Sequence, residues 1–110
     1  MTEQRHMEIA EVFKKLQEDF PEELNAFKGL SRVLERDGAI DRKTKDLILV
    51  SLACATRCDK CIAVHIRNAV MNGGSKKEIM EAALLNVLFR GGTGIMDMYI
   101  VYEELYNHFD

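Results

Sequence analysis

Residues Asp46 to His65 read "DLILVSLACATRCDKCIAVH", an almost unbroken apolar run feeding a polar corner that carries two cysteines and, four residues later, a histidine. The run from Leu47 to Ala55 is interrupted only by Ser51 and is far shorter than the roughly 20 residues that cross a bilayer. Being apolar nearly all round, it predicts a helix buried on most sides. Asp41 suits the N-cap of this helix, the third in the chain, which is expected to run to about Thr56. A fourth helix is expected to begin within Arg57-Cys-Asp-Lys-Cys61 and to end at Asn72-Gly-Gly74, where Gly73 or Gly74 can adopt the left-handed C-cap conformation.

The flanking sequence keeps the same period. Upstream, Ile9, Val12, Phe13, Leu16 and Phe20 fall at three-and-four spacing in a first helix over Glu3 to Asp19, predicting one buried stripe. Pro21 opens a second helix, with Glu22 and Glu23 suited to its N-terminus, a stripe of Leu24, Phe27, Leu30 and Leu34, and a stop at Asp37-Gly38. Downstream, Ser75-Lys-Lys-Glu78 is a capping-box signature for a fifth helix carrying Ile79, Met80, Ala83, Leu84, Val87 and Leu88. A sixth follows Gly92-Thr-Gly94, with Ile95, Met98, Tyr99, Tyr102, Leu105, Tyr106 and Phe109 on its apolar side. The chain therefore reads as one all-α domain over residues 1–110, a compact helical unit of about six helices without repeats or linkers.

At 110 residues, 47% hydrophobic and 30% charged, the composition is that of a globular domain. The formal net charge of -3 gives no electrostatic reason to expect nucleic acid or an anionic membrane surface. The N-terminus, MTEQRHMEIAEVF, has early acidic residues and no apolar signal core, so a cytoplasmic location is expected. In that reducing compartment a close cysteine pair is more often catalytic or metal-binding than structural. Two helices with wide apolar faces in so short a chain predict a homo-oligomer.

Within the corner, Cys58 and Cys61 would lie roughly 60 degrees apart and about 4.5 Å along a helix axis, within reach of a disulfide. His65 follows Cys61 at i+4, which stacks the imidazole beside that sulfur. A position in the first helical turn, with Arg57 and Lys60 nearby, favours thiolate over thiol. If the third and fourth helices form an antiparallel hairpin turning near residue 57, Asp46 lies eleven residues before the turn and His65 eight after it. Asp46 is then offset from His65 by about 4.5 Å along the axis and can face the imidazole directly or through a water. Otherwise Asp46 is a solvated charge in the first turn of its helix.

Two other readings of the corner stay open on the residues alone. Zinc takes thiolate and imidazole ligands, but a fourth is poorly provided: His6 and His108 lie near the termini and Cys54 sits in the preceding helix. The cysteines can also be ordinary core residues. Cys54, between Ala53 and Ala55, reads as a small core hydrophobe. Gly91-Gly-Thr-Gly94 lacks the preceding strand and following Lys-Ser or Lys-Thr of a phosphate cradle, and reads as a helix break with close backbone packing. The charged N-terminal residues read as solvated helix faces.

Taken together, Asp46, eleven residues, Cys58-x-x-Cys61, three residues and His65, followed by "NGGSKKEIMEAALLNVLFRGG", resemble the carboxymuconolactone decarboxylase superfamily, specifically its alkylhydroperoxidase D-like branch. The resemblance covers about residues 40–95. It implies an all-helical fold assembled as trimers or hexamers and a thiol-dependent peroxidase or disulfide oxidoreductase, working on a hydroperoxide substrate with an external dithiol as reductant and no cofactor or metal. Carried over by position, Cys61 is the peroxide-attacking thiol, Cys58 the resolving thiol, and His65 with Asp46 the proton relay. Two departures stand out: the branch has glutamate where this chain has Asp46, and better-studied members can carry a histidine where this chain has Lys60. The competing expectations are a lactone decarboxylase, whose activity does not require the cysteine pair, and a non-enzymatic helical assembly with a zinc or structural cysteine cluster.

Overall fold

In the computed structural model, which describes residues 2–109, the chain forms seven helices: α1 (Thr2–Asp19), α2 (Pro21–Glu35), α3 (Arg42–Ala55), α4 (Asp59–Met71), α5 (Lys76–Leu84), α6 (Val87–Arg90) and α7 (Gly92–Phe109). Among the described residues there is no strand, and no helix is long and apolar enough to cross a membrane. The core sits where the α3–α4 hairpin packs on α5 and α7, around Val50, Cys54, Ile62, Ile66, Ile79, Val101 and Leu105. Ile62 and Ile66, one turn apart on α4, are fully buried. Each contributes about 1.5–3 kcal/mol of apolar transfer free energy.

Local signals set the helix ends. The Asp41 carboxylate accepts from the Thr44 N–H at 2.8 Å, capping α3. Ser75 and Glu78 form the reciprocal capping box at the start of α5, with bonds of 3.1 and 2.9 Å. At the end of α4, Gly73 takes the left-handed conformation (φ 93°), while the Gly73 and Gly74 N–H groups donate to Val70 and Ala69. This is a Schellman termination.

Several expectations need correction. The fifth helix stops at Leu84 instead of continuing to Leu88. The buried Asn86 side chain donates to the Ala83 carbonyl at 2.6 Å and turns the chain into the four-residue α6. Gly94 packs so closely on Asn86 that a Cβ there would stand 2.7 Å from its Oδ1. The stripes on α1 and α2 are helical as read but mostly uncovered: Ile9 and Leu24 are buried, whereas Val12, Phe20, Phe27, Leu30 and Leu34 are exposed. Tyr99, Tyr102 and Tyr106 of α7 are exposed too, and Met98, Val101 and Leu105 face the core. Arg5 is not a solvated surface charge. It is buried and donates to Glu104, which has no exposure, at 3.0 Å and to Glu103 at 2.9 Å, fastening α1 to α7.

Candidate active site at the α3–α4 corner

The corner is two helix caps placed back to back. Thr56 is the C-cap of α3; the N–H groups of Arg57 and Cys58 donate to Cys54 and Ala53 at 3.2 and 3.3 Å. This is a second Schellman motif, with Arg57 in the left-handed position (φ 61°) that glycine usually fills. An L-residue there costs about 1–2 kcal/mol. The strain is offset by contacts to α6 and α7: Arg57 Nε lies 3.4 Å from Asp97 Oδ2, Arg90 also pairs with Asp97, and Arg90 Nη1 donates to the Cys54 carbonyl at 2.9 Å.

The next residue, Cys58, is the N-cap of α4, and its sulfur accepts from the Cys61 N–H at 3.1 Å. Cys58 and Cys61 are joined in a disulfide, with Cα atoms 5.1 Å apart. An N-cap sulfur at the positive end of a helix dipole is stabilised as a thiolate once the bond is reduced. The charges that the sequence placed beside the pair have partners elsewhere: Arg57 faces Asp97, and Lys60 Nζ lies 3.1 Å from Glu8. The local positive potential at the pair comes from the N-terminus of α4, whose first N–H groups point at Cys58.

Cys61 and His65 open onto one cavity of about 530 Å³ between α1, α2 and α4, whose walls include Val12, Phe13, Phe27 and Val64. His65 is partly buried, and burial pushes its pKa below the ordinary 6.5 against the opposing pull of Glu35 and Asp46. The imidazole is therefore neutral near pH 7 and able to accept a proton.

Asp46 is not a solvated charge, because its exposure is nil, and its charge acts on the His65 imidazole, raising its pKa. Its hydrogen bonds go elsewhere. Asn72 Nδ2 donates to it at 2.8 Å and Arg42 Nε at 3.4 Å, while the buried His65 Nδ1 has no hydrogen-bond partner among the described residues. Arg42 also reaches Glu35 Oε1 at 3.5 Å. Glu35, Arg42 and Asn72 were missed at the sequence level. The i+4 spacing of Arg42 and Asp46 signals one of them, whereas Glu35 and Asn72 arrive through tertiary packing alone. Cys54 is fully buried as read, its thiol pushed up to about 11 by burial and by Asp97.

An all-helical fold whose hairpin corner presents a cysteine pair and a histidine defines the class. Residues 20–104 match the carboxymuconolactone decarboxylase family, and the chain belongs to it. In structure it is similar to a carboxymuconolactone decarboxylase family protein from Legionella pneumophila, with a TM-score of 0.90 and 28% identity over 96% of this chain and 95% of that one. A Thermotoga maritima member, suggested to take part in an antioxidative response, superposes with a TM-score of 0.80 and 26% identity over 94% of this chain and 88% of that one. In sequence, an uncharacterized protein of the cox locus of Paracoccus denitrificans is 41% identical over 68 residues, 62% of this chain and 61% of the relative. An uncharacterized protein of Cupriavidus necator is 30% identical over 92 residues, 84% of this chain and 81% of that protein.

Proposed function

We propose that the protein is a thiol-dependent peroxidase and disulfide oxidoreductase, in which Cys58 and Cys61 cycle between dithiol and disulfide. The observation that carries this reading is the joined pair at the α4 N-terminus, with Cys61 and His65 on the same cavity. In the reduced protein, neutral His65 takes the Cys61 thiol proton. The thiolate attacks the distal peroxide oxygen, the O–O bond breaks, and the departing alkoxide takes the proton held on His65. Cys61 is left as a sulfenic acid, and the Cys58 thiol condenses with it, forming the disulfide and releasing water. Asp46, held by Asn72 and Arg42, is the acidic member of this relay and acts through its charge, which favours the protonated imidazole.

An external dithiol resets the site by attacking Cys61, the sulfur on the cavity, so that Cys58 leaves as the thiolate stabilised at the N-cap. Removal of peroxide agrees with the antioxidative response suggested for the Thermotoga protein. The cycle suits a cytoplasmic setting, where dithiol reductants are available.

The active form is a homo-oligomer, a trimer or hexamer. An apolar groove of about 1040 Å³ between α3, α5, α6 and the start of α7, lined by Ile48, Leu52, Leu85, Leu88 and Ile95, supports this, as does Leu88 at 81% exposure. Turnover of cumene hydroperoxide with dithiothreitol, compared across wild type, Cys58→Ser and Cys61→Ser, tests the proposal. Loss of turnover in both variants is expected; a lactone-decarboxylating activity that survives both substitutions would replace the peroxidase reading.

A further inference from the structure

The cavity at Cys61 carries two positive charges that the redox cycle does not use. Lys28, Arg32 and Glu35 stand at i, i+4 and i+7 on one face of α2, and all three line the cavity. Most of the charges around it are matched: Glu35 by Arg42 at 3.5 Å, and Lys60 by Glu8 at 3.1 Å. Lys28 and Arg32 have no carboxylate partner among the described residues. The Lys28 ammonium is 5.7 Å from the centre of the Phe13 ring, an apolar wall of the same cavity. This local surplus of positive charge occurs in a chain whose formal net charge is -3. The remaining walls are mostly apolar, from Ile9, Val12, Phe27 and Val64, with Ser31 and Asn68 adding polar edges. The volume of about 530 Å³ falls within the roughly 300–1,000 Å³ of small-molecule sites.

We propose that this cavity binds an amphipathic carboxylate of the free fatty-acid class, its chain against the apolar walls and its acid paired with Arg32 and Lys28. Guanidinium matches a carboxylate through two parallel N–H donors, and the ammonium adds a second charge. Resting on the thiol-peroxidase reading, the hydroperoxide reduced here is then carried on such a chain. The dithiol supplies two electrons, the O–O bond breaks, the hydroperoxy acid leaves as the hydroxy acid, and the second oxygen leaves as water when the Cys58–Cys61 disulfide forms.

Binding and turnover are measured separately. In calorimetric titration of the oxidised protein, dodecanoate is expected to bind at least tenfold tighter than methyl dodecanoate. The Lys28→Gln/Arg32→Gln double variant is expected to erase that difference, and Arg32→Lys to retain part of it, with melting curves checking the fold. In turnover, a free hydroperoxy fatty acid is expected to give at least tenfold higher kcat/KM than its methyl ester or the same acyl chain in phosphatidylglycerol vesicles. Equal binding of acid and ester, or a preference for the vesicles, overturns the proposal even if peroxidase activity is present. Charge-dependent dodecanoate binding without turnover of any peroxide supports the carboxylate site and overturns the peroxidase reading instead.

Discussion

Asn72 Nδ2 donates to Asp46 Oδ2 at 2.8 Å, so the residue that caps the end of α4 holds the buried carboxylate near the start of α3. The bond closes the open end of the hairpin and holds the acidic group without touching the His65 imidazole. Replacing Asn72 with Ala leaves a fully buried carboxylate with Arg42 at 3.4 Å as its remaining side-chain donor. A loss of about 1–3 kcal/mol is expected in urea unfolding. An unchanged midpoint would mean that the bond contributes nothing measurable.

His65→Ala removes the imidazole that shares the cavity with Cys61 and, on the proposed cycle, accepts its proton. Oxidation of the reduced dithiol by an organic hydroperoxide is expected to slow by roughly 10²–10⁴-fold in stopped flow. Asp46→Asn is expected to lower the His65 pKa further, because the Asp46 charge now raises it. An NMR titration of the imidazole measures that shift.

Acid should weaken the fold in two stages. Burial depresses the pKa of both His65 and His108 below the ordinary 6.5. As pH falls through 6.5 the unfolded chain takes up these protons before the folded one does, so stability drops until the folded-state values are passed. Glu78 and Glu104 have pKa values held below the ordinary 4.5, and their contribution is lost in a second window beneath it. Thermal melts from pH 8 to 5 should show Tm falling below about 6.5, with a flatter profile in His65→Gln and His108→Gln. A Tm constant across that range would contradict the burial argument.

The helices and the cysteine pair at the corner were legible in the sequence because their signals are local. Asp41, Ser75-Glu78 and Gly73 do at the helix ends what their side chains or conformational freedom dictate. The spacing of Cys58, Cys61 and His65 placed them on one short stretch of helix. What the pattern did not carry was partnership. Phe27 and Leu34 have core-like spacing and yet lie exposed, because helical period says which side is apolar and not what covers it. Arg5 read as a surface charge because its partners, Glu103 and Glu104, lie almost a full chain length away. Asn86 ended the fifth helix early through a side-chain bond that propensity does not anticipate.

The left-handed Arg57 gives a separate test of the corner. Asp97→Asn weakens the pairing with Arg57 and Arg90 that braces this residue. It is expected to lower stability and to slow disulfide closure, as monitored by thiol alkylation. Arg57→Gly removes the side-chain penalty at φ 61° and is expected to recover about 1 kcal/mol in the Asp97→Asn background. No recovery would place the strain elsewhere.

Light scattering addresses assembly. Wild type is expected at the mass of three or six chains, and Leu88→Glu at a lower mass, since Leu88 lies on the apolar groove with 81% of its surface exposed in one chain. A wild-type monomer would show that the groove has some other use.

The redox reading meets its sharpest test in peptide-mapped mass spectrometry of reduced, metal-free protein after one equivalent of organic hydroperoxide, with the remaining thiols alkylated. A rapid disulfide confined to Cys58 and Cys61, with buried Cys54 still a free thiol and the reaction slowed by His65→Ala, is the predicted result. Unreacted thiols at both Cys58 and Cys61 would contradict it and turn attention to zinc binding and lactone decarboxylation.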